Sequence, residues 1–290
     1  AGPFLARRPV ENSVPRTICA TLGRRGPHAY GAEPPVFGWW RPDGGGEVAA
    51  AFLRTPPHPP LLTRGAPGTS RGLADRLAAP LPGVRGDREA ARDFARAWQE
   101  RTGAALRTDR ELRIFRLGAL TPHRPAPPGR PRVAGPADRA LLLRWHEEFA
   151  RDIGEPLPGG EGAVDDALGR GLRTLWEVDG EPVAMAGSTA PADGAVRVVA
   201  VYTPQALRGR GYAGAVTAAV SRAALAAGAE HVLLSADLAN PVSTGLYQRL
   251  GYVPVRDLVS ITFTAAPADP SAARPTAARA DPGRQALRDT

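Results

Sequence analysis

Between Val201 and Gly228 the chain reads VYTPQALRGRGYAGAVTAAVSRAALAAG: a strand-like run broken by Pro204, glycines set between arginines, then an alanine-rich helix. Residues of these types in this order suit a phosphate. The amides of 209–213 fall at a helix N-terminus, where unpaired donors and the helix dipole favour an anion. Gly209 and Gly211 let the backbone come close without a Cβ. Arg208 and Arg210 can add charge-assisted bonds to phosphate oxygens. A plain glycine turn would not need Arg-Gly-Arg-Gly. Gly209, Gly211 and Gly214 also spell G-x-G-x-x-G, with Asp237 closing the next strand, as in dinucleotide sites. That reading expects several parallel βαβ units, whereas only one follows, and it leaves both arginines unexplained. Downstream, DLANPVSTGLYQRLGYVPV (Asp237–Val255) supplies two further candidates, Asn240 and Tyr247. Asn240, Pro241 and Gly251 read as the N-cap, first residue and C′ glycine of a short helix. Tyr247, beside Leu246 and Leu250, also suits a core position.

The elements that must hold these residues follow from periodicity. A helix is expected from about 137 to 153, with Leu141, Leu142, Trp145, Phe149 and Ile153 on one face, and a shorter one over 164–170. Strands follow at 174–178, 183–189 and 195–202. After the glycine loop come a helix over 212–227, the buried strand HVLLSAD, a helix over 240–250, and the closing strand YVPVRDLVSITF. Helices precede most strands, so the layout is α+β with a mixed sheet flanked by helices. The first half repeats part of this pattern. WRPDGGGEVAAAF (Trp40–Phe52) and WEVDGEPVAMAG (Trp176–Gly187) both place a tryptophan ahead of an Asp-Gly turn and a small-apolar strand. The helix REAARDFARAWQERTG ends on Gly103 much as STGLYQRLG ends on Gly251. We read a diverged duplication, two tandem units joined by the proline-rich TPHRPAPPGRPR (Thr121–Arg132), a semi-rigid extended linker. The expected division is 1–125, 130–264 and a disordered tail at 265–290.

Composition narrows the rest. The net charge is +8 and the pI near 10.7, yet all 37 basic residues are arginine. With high alanine, glycine and proline, this looks like coding bias that scatters charge over the surface, so no nucleic-acid partner is expected. The single cysteine, Cys19, excludes a disulfide framework and a cysteine zinc site. Five histidines lack metal-ligand spacing, so no metal is expected. No apolar run is long enough to span a bilayer, and no signal-peptide pattern opens the chain. A cytoplasmic protein without a membrane partner fits.

Arg208-x-x-Gly211-x-Ala213, followed by the Asn240–Tyr247 segment and Gly251-Tyr252, resembles the GNAT superfamily of N-acetyltransferases over roughly 132–263. The resemblance implies a GNAT-like sheet, with the loop holding the pyrophosphate of acetyl-CoA, the acyl donor. It implies a transferase that acetylates a primary amine. Residue by residue, it assigns the cofactor contacts to Val201, Tyr202, Thr203, Arg208, Gly209, Arg210, Gly211, Tyr212, Ala213 and Asn240. It makes Tyr247 the acid that protonates the departing thiolate, and a backbone N–H near Val201–Thr203 the oxyanion donor. Gln205 stands where proline is usual. The strand AVRVVAVY lacks the glutamate that serves many relatives as base, leaving Glu147, Glu148 and Glu177 as unselected candidates. The first half, with RGAPGTSRGLADRLAA at the loop position, looks like a degenerate GNAT-like unit. The alternatives are a non-catalytic acyl-CoA-binding regulatory module and, behind it, a nicotinamide-dinucleotide protein.

Overall fold

The computed structural model describes residues 1–42, 45–78, 80–154 and 160–264. The first half contains α1 (Gly2–Ala6), α2 (Ser13–Arg25), β1 (Val36–Trp40), β2 (Ala50–Arg54), β3 (Leu61–Leu62), α3 (Thr69–Arg76), β4 (Gly83–Asp87), α4 (Arg88–Thr102) and β5 (Ala105–Leu117). The second contains β6 (Arg130–Val133), α5 (Arg139–Ile153), α6 (Gly160–Gly169), β7 (Arg173–Val178), β8 (Glu181–Ser188), β9 (Ala195–Tyr202), α7 (Tyr212–Ala226), β10 (His231–Asp237), α8 (Pro241–Arg249) and β11 (Tyr252–Thr264). The expected α+β class with a mixed, helix-flanked sheet is present, and from 173 onward each strand lies within two residues of its expected span. The Asp43-Gly44 turn and the tail at 265–290 fall outside the described residues.

All strands join one open sheet in the order β1-β2-β3-β4-β11-β5-β10-β9-β8-β7-β6. Apart from β6, the order repeats from either side. From one side β1, β2 and β3 pair antiparallel and β3 runs parallel to β4. From the other, β7, β8 and β9 pair antiparallel and β9 runs parallel to β10. Each parallel pair is bridged by one helix, α3 or α7. No run of successive βαβ units appears among the described residues, which is the context a dinucleotide fold would need.

The centre of the sheet joins the two halves by exchange. β11, from the end of the second half, pairs with β4, and β5, from the first half, pairs with β10. The two long strands then pair with each other from Tyr252↔Leu117 to Thr264↔Ala105. Side chains alternate between helical layers. Leu175 packs beneath α5 and α6 with Met185 and Tyr202, while its neighbour Trp176 joins Val196, Val216 and Tyr247 on the α7 and α8 side. In the first half Leu53 and Leu61 meet α2, and Leu62 and Val84 meet α3 and α4. Trp40 repeats the role of Trp176: its ring lies where a Cβ on Gly72 of α3 would fall, 2.8 Å away.

Candidate active site

Parallel pairing of β9 with β10 covers only Ala195–Arg197 against His231–Leu233. Past those residues the strands part. A bulge marks the place: Ala200 has φ +51°, a left-handed value rare outside glycine, and the β8–β9 register slips between Met185 and Gly187. The parted strands, the start of α7 and one side of α8 bound a cavity of about 980 Å³. Val201, Tyr202, Thr203, Arg208, Gly209, Gly211, Tyr212, Ala213, Asn240 and Tyr247 all line it. Arg210 does not. Its exposed guanidinium folds back toward the Ala206 carbonyl, 3.4 Å away.

The loop is shaped for backbone approach. Gly209 and Gly211 have φ of +79° and +83°. A Cβ on Gly209 would meet nothing within 4 Å, so backbone conformation selects glycine there. Gly211 caps α7 without a side-chain bond, and the first helical bond runs from Ala215 N–H to Gly211 C=O. The amides of Tyr212, Ala213 and Gly214 therefore have no carbonyl within the helix to bond. Arg208 braces the loop: its Nε donates to the Thr203 carbonyl at 3.0 Å, and its guanidinium pairs with Asp152 of α5. Both members of that pair are about half exposed, so the pair is weak and readily given up to a phosphate. Thr203 Oγ1 is buried on the cavity wall without a partner among the described residues, a hydroxyl that a polar ligand would satisfy. Loop, orphan hydroxyl and cavity fit an acyl-CoA.

Asn240 Oδ1 accepts from Ser243 N–H at 3.0 Å, the expected N-cap. Tyr247, on α8, is buried edge-on to Tyr252, with ring centroids 6.1 Å apart. Burial, then the neighbouring Tyr252, pushes the Tyr247 phenol far above its ordinary range, so Oη keeps its proton at physiological pH. Tyr202 is held differently: its Oη donates to Glu148 Oε2 at 2.7 Å, and burial together with that carboxylate pushes its phenol up to about 12. Of the carboxylates considered as base, Glu148 thus accepts the Tyr202 hydrogen bond, Glu177 is buried in an ion pair with Arg132, and Glu147 is exposed.

Several wall residues escape a sequence reading. Thr121, Pro122 and His123 enter from the connector, and Phe149, Asp152 and Ile153 from the end of α5. Asp152 lies in the last turn of an amphipathic helix and has no local mark of function. Among the described residues no group of His, Cys, Asp or Glu could hold a metal ion, and no helix is long and apolar enough to cross a membrane.

The family described as Acetyltransferase (GNAT) matches residues 142–252, from α5 to the first residue of β11, a span that contains every candidate residue. Solved structures agree at the level of fold. A Drosophila protein superposes with a TM-score of 0.62 at 14% identity, covering 89% of this chain and 90% of its own. A GNAT-family acetyltransferase from Colwellia psychrerythraea gives 0.55 at 12% identity, covering 79% and 85%. A GCN5-related N-acetyltransferase from Kribbella flavida gives 0.54 at 19%, covering 87% and 95%. No curated protein matches the sequence. Loop, parted strands and family match agree on one stretch: residues 142–252 match the GNAT acetyltransferase family.

Proposed function

We propose that the protein is an N-acetyltransferase that moves an acetyl group from acetyl-CoA to a primary amine. The observation that carries this reading is the convergence of the glycine loop, the parted β9 and β10, and the Tyr247 side chain on one cavity. When bound, acetyl-CoA supplies an activated thioester. The chain's part is to bind, orient and manage protons. Amides at 209–213 and the positive end of α7 hold the diphosphate, with Thr203 Oγ1 and Asn240 as further polar contacts. The backbone of β9 beyond Ala200, unpaired toward β10, offers N–H groups to developing negative charge. Tyr247 Oη holds a proton and is the acid.

The test is turnover with a panel of amines, read by release of free thiol, in wild type and Tyr247→Phe. The substitution keeps the ring and costs about 1 kcal/mol or less of stability, the net value of one hydrogen bond. If Oη delivers the proton, kcat falls by about 10²- to 10⁴-fold while acetyl-CoA affinity stays near wild type. Unchanged kcat, with chemistry shown to be rate-limiting, returns Tyr247 to a packing role.

A further inference from the structure

We propose that the connector at 118–129 forms part of the donor site, and that His123 with Arg249 of α8 binds the ribose phosphate of the acyl-CoA. This rests on the acyl-CoA reading above and extends it to a segment outside the matched family span of 142–252. The connector is fastened at both ends. Gly118 and Thr121 donate to the carbonyls of Gly251 and Leu250 at 2.9 and 3.0 Å, and at Gly251 (φ +94°) a Cβ would fall 1.8 Å from the Ala119 carbonyl oxygen. At the far end Trp176 Nε1 donates to the Pro128 carbonyl at 2.9 Å. Between these anchors Thr121, Pro122 and His123 line the cavity, and Pro127 lies 3.7 Å from the Cβ position of Gly211. The segment therefore crosses from the C-terminal end of α8 to the N-terminal end of α7, over the cavity that the glycine loop opens. Pro122, Pro125, Pro127 and Pro128 stiffen it, so little ordering is left for binding to impose.

Charge gives the ligand chemistry. An acyl-CoA carries a diphosphate and, at its nucleotide end, a ribose phosphate. The α7 amides suit the diphosphate, together with Arg208 of the same loop once it leaves its half-exposed pair with Asp152. The remaining side chains on the cavity wall with cationic character or an N–H for a phosphate oxygen include His123 and Arg249. The backbone brings their segments to one end of the cavity: Thr121 bonds the carbonyl of Leu250, next to Arg249, and His123 lies two residues beyond Thr121. Both are exposed, so neither is needed for the core.

The test compares binding of acetyl-CoA and acetyl-dephospho-CoA, which lacks only the ribose phosphate, to wild type, His123→Ala, Arg249→Ala and the double variant, with thermal melts confirming the fold. Wild type is expected to prefer acetyl-CoA by about tenfold, the value of a charge-assisted phosphate contact. Each single variant should lose much of that preference and the double variant all of it, with acetyl-dephospho-CoA binding unchanged throughout. A wild type that binds both donors equally, or variants that keep the preference, overturns the proposal and leaves the acyl-CoA reading standing. A wild type that binds neither overturns both.

Discussion

The two halves build the same loop-to-helix junction and do opposite things with it. Gly68 caps α3 at φ +80°, ψ −16°, and Gly211 caps α7 at φ +83°, ψ −2°. The strands behind these caps differ. β9 and β10 separate after Arg197 and Leu233, whereas β3 and β4 are pulled together at Leu62↔Gly86. Gly86 (φ +132°) permits this: a Cβ there would lie 2.1 Å from the Leu62 carbonyl oxygen. The helices differ as well. α4 starts on the residue after β4 and packs against α3, with Phe94 and Trp98 stacked on Phe263 of β11. α8 starts later, capped by Asn240, and leaves room beside α7. Under Trp39, Trp40 and Ser70 the first half keeps a cavity of only about 40 Å³, against about 980 Å³ in the second. A left-handed glycine cap is thus not sufficient for a ligand site; the strands must part and the helices must stand off.

The largest effect should come from cutting the halves apart. Because β5 lies between β10 and β11, residues 130–264 alone would expose two long strand edges and lose much of the core around Phe115 and Leu117. We expect no cooperative thermal transition from that fragment, and recovery when residues 1–129 are co-expressed. An independently folded fragment that binds acetyl-CoA would break the picture of mutual dependence. Next in size, Gly86→Val forces a branched side chain into the Leu62 backbone at a positive φ. Stability should fall by more than about 4 kcal/mol, a loss on the scale of severe core disruption; a small change in melting temperature would mean that β3 and β4 are not held shut there.

A third effect separates the helices on the opposite layer. α5 buries His146, whose Nδ1 lies 2.9 Å from the Leu142 carbonyl and whose Nε2 has no partner among the described residues. Burial first, then the nearby Arg173 charge, lowers its pKa from 6.5 to about 4. The folded pKa lies below the unfolded one, so between pH 6.5 and 4 the unfolded chain binds the extra proton. Stability should drop by up to about 3 kcal/mol as pH falls through that window. His146→Gln should flatten this slope; an unaltered slope in denaturant titrations would assign it to other groups. The equivalent layer in the first half, α2, contains no histidine.

Much of the second half is legible in its sequence because its signals are local. Asn240-Pro241 marks a helix start, Gly211 a left-handed cap, and alternation the strands. The glycine loop and Tyr247 are legible for the same reason, since each sits beside its own punctuation. The exchange of β5 and β11 carries no such mark: strands choose partners across more than a hundred residues, and alternating patterns fit either neighbour. The place of His123 and Asp152 on the cavity wall is equally silent, because proximity across the fold decides it. Glu177 shows the converse, an acidic residue open to a catalytic reading whose ion pair with Arg132 only the structure reveals.

The contrast between Gly68 and Gly211 offers the most direct test of the central claim, that one half binds the acyl donor and the other does not. At both positions the added Cβ would meet little or nothing: no atom within 4 Å at Gly68, and only Pro127, at 3.7 Å or more, at Gly211. Gly68→Val and Gly211→Val should therefore each cost roughly 1–2 kcal/mol of stability, the penalty of a left-handed non-glycine residue. Titration calorimetry with acetyl-CoA should give one site per wild-type chain, one site of unchanged affinity in Gly68→Val, and no measurable binding in Gly211→Val. Two sites per chain, or a Gly211→Val protein that binds as wild type does, would contradict the account.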